Sequence, residues 1–457
     1  EEGSTSNTSG ACPAGTFNPE PGATNRAACR ECQTGRNSRD GSASCTGCAE
    51  HYYKPNSESS AAECSPCSEV PGVRCNSDAT IATLVVNQGY WRHSNATSEL
   101  WPCKKSGSSW TPCRGGADAG FDGNGYCESG YKGPRCELCD DANFFDKQSA
   151  RCYDCHAAVA TASIAIVSGI VFFLVCAGVA AVIVQGERCP KVRSWLLWKV
   201  RKFYKLYRRG GMRYKVKAAV GVFQCISAVP SVFDVTVPQG LEGYTQWMNV
   251  LEYPSEIGID IVIPGSCLGS YNRRLVVASL WPIGFFVLVA VSCIGWELLQ
   301  RAKIKGGQDS GKNDAVQAGL QRTLPLTLLV TFVLVPSTAT RIFKTYLCDP
   351  FEYAGSNSTR RYLHDDLSLS CSSDEYSAAW STAIILMLLW PVGVPALYAT
   401  LLWAGRDAIV TGRQTPLRRA IGFLSDDYER YAFWWEPIEM CRKLTLTGWV
   451  LLIGEEY

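Results

Sequence analysis

Glu436, Glu439, Arg442 and Lys443 stand close together just after Trp434-Trp435, in a segment that continues as Leu444-Thr-Leu-Thr-Gly-Trp-Val-Leu-Leu-Ile453. Ionisable groups in such surroundings have two uses. They can line an ion path or a gate, because a charge at membrane depth is costly and marks function by default. Alternatively they pair along one helix, Glu439 meeting Arg442 at i+3 and Lys443 at i+4, which lowers the cost of starting that helix at an interface. Asp234, between Phe233 and Val235, is another ionisable residue in an apolar run. The four histidines, His51, His93, His156 and His364, lie far apart and have none of the spacings of a zinc protease or hydrolase. No phosphate-binding glycine loop occurs. The sequence therefore predicts no catalytic residue, no metal site and no cofactor beyond N-glycans and bound lipids, and an enzyme is not expected.

Elements long enough to carry these charges are plain in the hydropathy pattern. A bilayer core of about 30 Å needs roughly 20 apolar residues in a helix. Residues 157–186, 275–296 and 376–405 are free of charge throughout, and 323–340 is free of charge up to Arg341. The predicted spans are 157–185, 216–238, 275–296, 323–345, 376–405 and 431–453. In the last of these only Leu444 to Gly454 is charge-free, and in the second Pro230 and Asp234 intervene. The expected fold is an all-α bundle of five to six transmembrane helices under a small, disulfide-rich, β-turn-rich extracellular domain. Trp390-Pro391-Val-Gly393-Val-Pro395 is the foremost candidate for a kink.

Charge predicts the orientation. With the amino-terminal part outside, the inner loops 186–217, 297–322 and 406–430 hold twenty-two Lys and Arg, and the outer loops 238–274 and 345–375 hold four. This is the positive-inside pattern. The sequons at Asn7, Asn95 and Asn357 all fall on the outer side, so N-glycans are expected there. In the first inner loop Lys199, Arg201, Lys202, Lys205, Arg208 and Arg209 alternate with Trp198, Phe203, Leu206 and Tyr207. Aromatic and basic residues so mixed suit a helix in the headgroup layer, each cation being worth roughly 1 kcal/mol against an anionic leaflet. Anionic lipid on the cytoplasmic side is the predicted partner. The net charge of +2 gives no reason to expect nucleic acid.

Fifteen of the 23 cysteines lie in residues 1–156. An odd number would leave a thiol in an oxidising space. Cys267, Cys348 and Cys371 are also predicted outside, which makes eighteen and allows complete pairing. Cys348 and Cys371 share one outer loop, and Cys267 is left to mate with a head cysteine such as Cys155, directly above the first span. The series Cys12, Cys29, Cys32, Cys45, Cys48, Cys64, Cys67, Cys75 alternates long and short gaps. Disulfides across the long gaps would hold small units whose cores are too slight to stand alone; zinc ribbons are the alternative use of paired Cys-x-x-Cys steps. Cys127, Cys136, Cys139 and Cys152 form a second group. The domains expected are 1–80, 81–156 and 157–457. A start at Glu1 without Met or apolar leader fits a removed signal peptide, and the apolar run that stops at Tyr457 suggests a continuation.

Cys12-Pro13-Ala14-Gly15-Thr16-Phe17 with the closing Cys-x-x-Cys resembles the ephrin-receptor-like cysteine-rich repeat over roughly residues 11–75. Cys127-Glu-Ser-Gly130-Tyr131-Lys-Gly133-Pro-Arg-Cys136-Glu-Leu-Cys139 looks like the closing loop of a laminin-type EGF module, although Gly125 stands where a cysteine is usual. The second half carries Leu334-Val335-Pro336-Ser337, Ile342-Phe343, Tyr362-Leu363, Asp365-Asp366-Leu367-Ser368, the Trp390 to Pro395 stretch, Gly422-Phe423-Leu424, Asp427-Tyr428 and Trp434-Trp435-Glu436 in that order. It resembles the protist and algal transient-receptor-potential-like (TRP C-terminal domain) multi-pass membrane proteins over about 157–453. The resemblance implies a cation-channel subunit with a head that senses or attaches extracellular material. Two alternatives stay open: a non-conducting anchor for matrix, wall or filament protein, and a seven-helix receptor. Each implies the plasma membrane or another membrane of the secretory pathway, in a homo- or hetero-oligomer or alone.

Overall fold

The computed structural model describes residues 11–20, 26–55, 64–106, 110–147 apart from 141, 149–161, scattered positions between 163 and 202, then 212–233, 265–304, 312–353 and 358–452. The chain divides into two units, one of residues 1–155 with 348–372 and one of 156–347 with 373–457.

The first unit has strands of only two to five residues. Elements so short bury little, and cystine holds them. Gly15 and Gly35 take φ of +86° and +83°, the left-handed region that glycine enters at no steric cost, and each turns the chain into a small antiparallel pair, Thr16 opposite Glu31 and Arg36 opposite Cys48. The disulfides Cys12–Cys29, Cys32–Cys45, Cys48–Cys64 and Cys67–Cys75 cross the four long gaps of the cysteine series. Cys103–Cys113, Cys127–Cys136 and Cys139–Cys152 follow. Cys155 and Cys267 are each disulfide-bonded as well.

The core of this unit is aromatic and discontinuous in sequence. β1 (Tyr90–Trp91) pairs antiparallel with β2 (Trp101–Pro102). Residues 348–372 fold as an antiparallel sheet, β3 (Cys348–Glu352), β4 (Thr359–Leu363) and β5 (Asp366–Ser370), closed by Cys348–Cys371. Phe351 and Leu367 of that sheet belong to one buried cluster with Val86, Trp91 and Tyr126. The Phe351 ring meets Trp91 edge-on with centroids 5.7 Å apart and Trp101 at 5.0 Å. Polar ties frame the contact. Thr97 Oγ1 donates to Glu352 Oε2 at 2.8 Å, the Glu352 amide donates to Glu99 Oε2 at 2.8 Å, and Arg135 stacks 4.5 Å over Trp101 while reaching Asp349 at 3.5 Å. The segment predicted as a loop between two spans is thus a structural part of the head.

The second unit is helical: α1 (Met212–Phe233), α2 (Tyr271–Ile304), α3 (Lys312–Lys344), α4 (Asp374–Met387), α5 (Gly393–Thr411) and α6 (Trp435–Thr447). Among the described residues three helices are long and apolar enough to cross a membrane: Tyr271–Arg301, Asn313–Lys344 and the Asp374–Thr411 stretch made of α4 and α5. Of the five to six spans expected from sequence, these three are found among the described residues. Most of 157–185 lies outside the described residues. α1 covers the larger part of 216–238, but Asp234 is outside the described residues. The predicted 431–453 span is not among the helices long enough to cross. α6 has 13 residues, about 20 Å of helix at 1.5 Å per residue, and after Gly448 the chain continues as the separate 3₁₀ turn Trp449–Leu452.

α3 is the central helix, more than half of its apolar window being buried, whereas α2 leaves Val287, Leu288, Val291 and Leu299 bare. A helix apolar all round and uncovered suits hydrocarbon rather than water. α4 begins on Ser373, whose hydroxyl accepts from the Tyr376 amide at 3.2 Å, with Asp374 and Glu375 in the first turn where the helix dipole favours anions. Between α4 and α5 one π turn, Leu388–Val392, takes up Pro391, which has no amide hydrogen to give the ladder. The predicted kink site is this widened turn.

Candidate functional site

α1 presents Lys217, Gly221 and Gln224, at i, i+4 and i+7, to the rest of the helical unit. Gln224 Nε2 donates to the Val333 carbonyl of α3 at 2.9 Å and fixes the distance between the two helices. One α1 turn away, a Cβ on Gly221 would stand 2.8 Å from Lys443 Cε, so the absence of a side chain there makes room for the lysine of α6. On α6 the buried positions are Glu436, Met440, Lys443, Leu444 and Thr447, one face of a 3.6-residue helix. Glu436 and Lys443 therefore point inward, and Glu439 and Arg442 point outward.

Lys217 is the hub. Its Nζ donates to Glu436 Oε2 at 2.7 Å, to Asp427 Oδ2 at 3.3 Å and to the Phe423 carbonyl at 3.1 Å, which uses all three ammonium hydrogens. Tyr428 Oη donates to the same Glu436 oxygen at 2.9 Å. The Lys217 amine also lies over the rings of Phe423 (4.5 Å), Tyr428 (5.6 Å) and Phe332 (5.7 Å). Phe332, on α3, has the Lys443 amine on its face at 3.9 Å and meets Phe423 edge-on at 5.5 Å. Two lysines and two carboxylates are thus gathered around one phenylalanine, with the Lys217, Glu436 and Lys443 side chains almost wholly withdrawn from the surface. Beside them Tyr398 of α5 shares a hydrogen bond of 2.8 Å with Thr331 and donates to the Leu328 carbonyl at 3.1 Å, which ties α5 to α3.

The sequence brought Glu436 and Lys443 forward, gave Glu436 no partner, and paired Glu439 with both Arg442 and Lys443. Glu439 forms its bidentate bond with Arg442 alone, at 2.9 and 2.6 Å, on the outer face; Lys443, expected beside Glu439, turns to Phe332. Lys217, Asp427, Tyr428, Phe332 and Phe423 were not singled out as site residues. Asp427-Tyr428 was visible only as a dipeptide between helices, and Lys217 was hidden as the last of twelve basic residues in its loop. In a low-dielectric interior such a cluster resists movement, because separating Lys217 from Glu436 as α1 shifts against α6 leaves a buried charge uncompensated.

The other predicted residues are scattered. Asn95 is exposed in the turn between β1 and β2, whereas Asn7 and Asn357 lie outside the described residues. Lys199 and Lys202 are exposed, the Lys202 amine 4.9 Å over the Trp198 ring, as basic and aromatic residues at i and i+4 permit; Arg201, Lys205, Arg208 and Arg209 lie outside the described residues. The eighteen cysteines expected in the oxidised set are bonded, including Cys103 and Cys113, which the two cysteine patterns did not contain. Among the described residues no group of His, Cys, Asp and Glu could hold a metal ion. The head has a cleft of about 480 Å³ between Glu50–Tyr52 and the Cys67–Cys75 loop, with Arg74 and Asn76 on its wall.

No protein-family model, curated protein or solved structure matches the chain.

Proposed function

We propose that the chain is a subunit of a TRP-like cation channel whose disulfide-stapled head, outside the cell or in the lumen, senses or attaches extracellular material. The observation that carries this reading is the discontinuous head. Residues 348–372 run directly from α3 and directly into α4, two of the helix stretches long enough for a bilayer, while Phe351 and Leu367 are locked into the core of the head. A load or ligand on the head therefore pulls, through peptide bonds, on both helices. The Lys217–Glu436 latch, which packs against α3 at Phe332, supplies an element that such a pull could open. In this reading Asn95 and Asn357 carry glycans outside, and Lys199 and Lys202 rest on the anionic inner leaflet of the plasma membrane or another secretory-pathway membrane.

Patch-clamp of the complete protein in reconstituted vesicles tests it. The expected result is a cation-selective current whose opening becomes easier in Lys217→Met. Vesicles that stay electrically silent, with the head folded and bound to external filament or wall protein, would instead support a non-conducting anchor. The density of disulfides in the head favours that second reading, since a cross-linked head suits load-bearing attachment.

A further inference from the structure

His93 follows β1 and is 2% exposed, yet neither ring nitrogen has a hydrogen-bond partner in another residue. A buried polar group left so costs about 1–3 kcal/mol. Its neighbour Arg92 is handled quite differently: that guanidinium donates to the Tyr126 hydroxyl and to the carbonyls of Ile81, Thr97 and Leu84. The walls around His93 are rings, Trp91 at 5.6 Å, Tyr353 edge-on at 5.2 Å and Tyr362 at 6.2 Å. Tyr353 and Tyr362 belong to the 348–372 segment.

Two charged groups face the imidazole. Asp122 is 4.0 Å from Nδ1, but its carboxylate is already engaged by Arg360 at 3.0 Å, and the Arg360 guanidinium lies 4.0 Å over the Tyr353 ring. One carboxylate thus stands between two would-be cations. Burial pushes the His93 pKa below its ordinary value of 6.5, against opposing pulls from its own backbone and from Asp122, and Arg360 adds a smaller push in the same direction as burial. The neutral imidazole fits the cage, and an imidazolium would have to take Asp122 from Arg360 or leave.

We propose that His93 is a proton sensor that loosens the 348–372 segment from the rest of the head in acidic surroundings. Protonation adds a charge inside the ring cage, Arg360 and His93 compete for Asp122, and β4, which carries Arg360 and Tyr362, is the strand displaced. The unfolded or opened segment exposes His93 with its ordinary pKa, so it binds the proton more readily than the closed one. The stability His93 contributes is then complete above pH 6.5 and is lost as pH falls from 6.5 towards the lowered value in the closed state. The exposed His364 lies 2.9 Å from Asp349 within the segment itself. The device is a property of the head and holds whether or not the protein conducts.

Hydrogen exchange on the full chain in lipid nanodiscs at pH 7.5 and 5.5, corrected for the intrinsic pH dependence of exchange, tests it. Amides of 348–353 and 358–363 are expected to lose protection severalfold at pH 5.5, up to a limit of about tenfold set by an opened-state pKa of 6.5 that lies one pH unit above the measurement. In His93→Phe, and in His93→Gln should the first not fold, protection is expected to be the same at both pH values. In Asp122→Asn, which lacks the carboxylate beside the ring, the lower end of the pH window should move down, so that the loss at pH 5.5 is at least as large as in the unaltered protein. Constant protection in the unaltered protein, an undiminished loss in a folded His93 variant, or a smaller loss at pH 5.5 in Asp122→Asn than in the unaltered protein overturns the proposal.

Discussion

Lys217 is an ammonium group taken out of water and given three acceptors in return. Moving a charge into a low-dielectric interior costs several kcal/mol, and only good geometry recovers it. At 2.7 Å from Glu436 and 3.3 Å from Asp427 the geometry is good, and three aromatic faces surround the remainder. Removing one partner should therefore be worse than removing both. Glu436→Gln is expected to destabilise the helical unit by about 3–5 kcal/mol, whereas Lys217→Met combined with Glu436→Leu should be markedly milder than the two single changes summed. Unfolding in detergent micelles, read as a double-mutant cycle, measures this. Additive losses would mean that the two groups do not hold each other.

At the scale of elements the tightest junction is between α2 and α3. A Cβ on Gly319 of α3 would sit 2.7 Å from Ile294 Cγ1 and 2.8 Å from Ile294 Cα on α2, so the helices approach this closely only because Gly319 has no side chain. Close approach through a small residue is how apolar helices gain packing when hydrophobic burial offers no preference between lipid and protein. Gly319→Leu should push the pair apart at a cost of about 1–3 kcal/mol, the range for overpacking, visible as a lower unfolding temperature in micelles. An unchanged temperature would show that α2 slides freely on α3. These long helices were legible in the sequence because an uninterrupted apolar run is a one-dimensional signal, although the helices extend past the runs at both ends (271–304 against 275–296). The 431–453 segment resembles a span in composition through Trp434, Trp435 and the run after Leu444. There the helix ends at Thr447 and buries Glu436 and Lys443 against protein. The cluster itself was only half legible: periodicity tells which α6 residues share a face, but not that Lys217, more than two hundred residues earlier, is the partner.

For the whole molecule the decisive residue is Phe351. Nothing local marks it, since it lies between Pro350 and Glu352 in a polar loop, and its importance comes only from Trp91 and Trp101, far away in sequence. The cysteine count indicated that Cys348 and Cys371 were oxidised, but not that their sheet completed the head. Phe351→Ala should cost about 3–5 kcal/mol through the cavity it leaves. In denaturant, tryptophan fluorescence from the head should then change at lower concentration, with the helical circular-dichroism signal unmoved. Coincident shifts in both signals would mean that the two units unfold as one.

Because the head is completed by chain that lies nearly two hundred residues downstream of Cys155, its manufacture has a built-in delay. At roughly 5–20 residues per second, the ribosome reaches residue 372 some ten to forty seconds after residue 155. During that interval Trp91 and Trp101 lack Phe351 and the unfinished domain presents bare aromatic surface, while its cysteines are already free to oxidise. Correct assembly thus depends on a holding step during translation, and a ribosome stalled between the two stretches would leave a partly cross-linked, sticky intermediate.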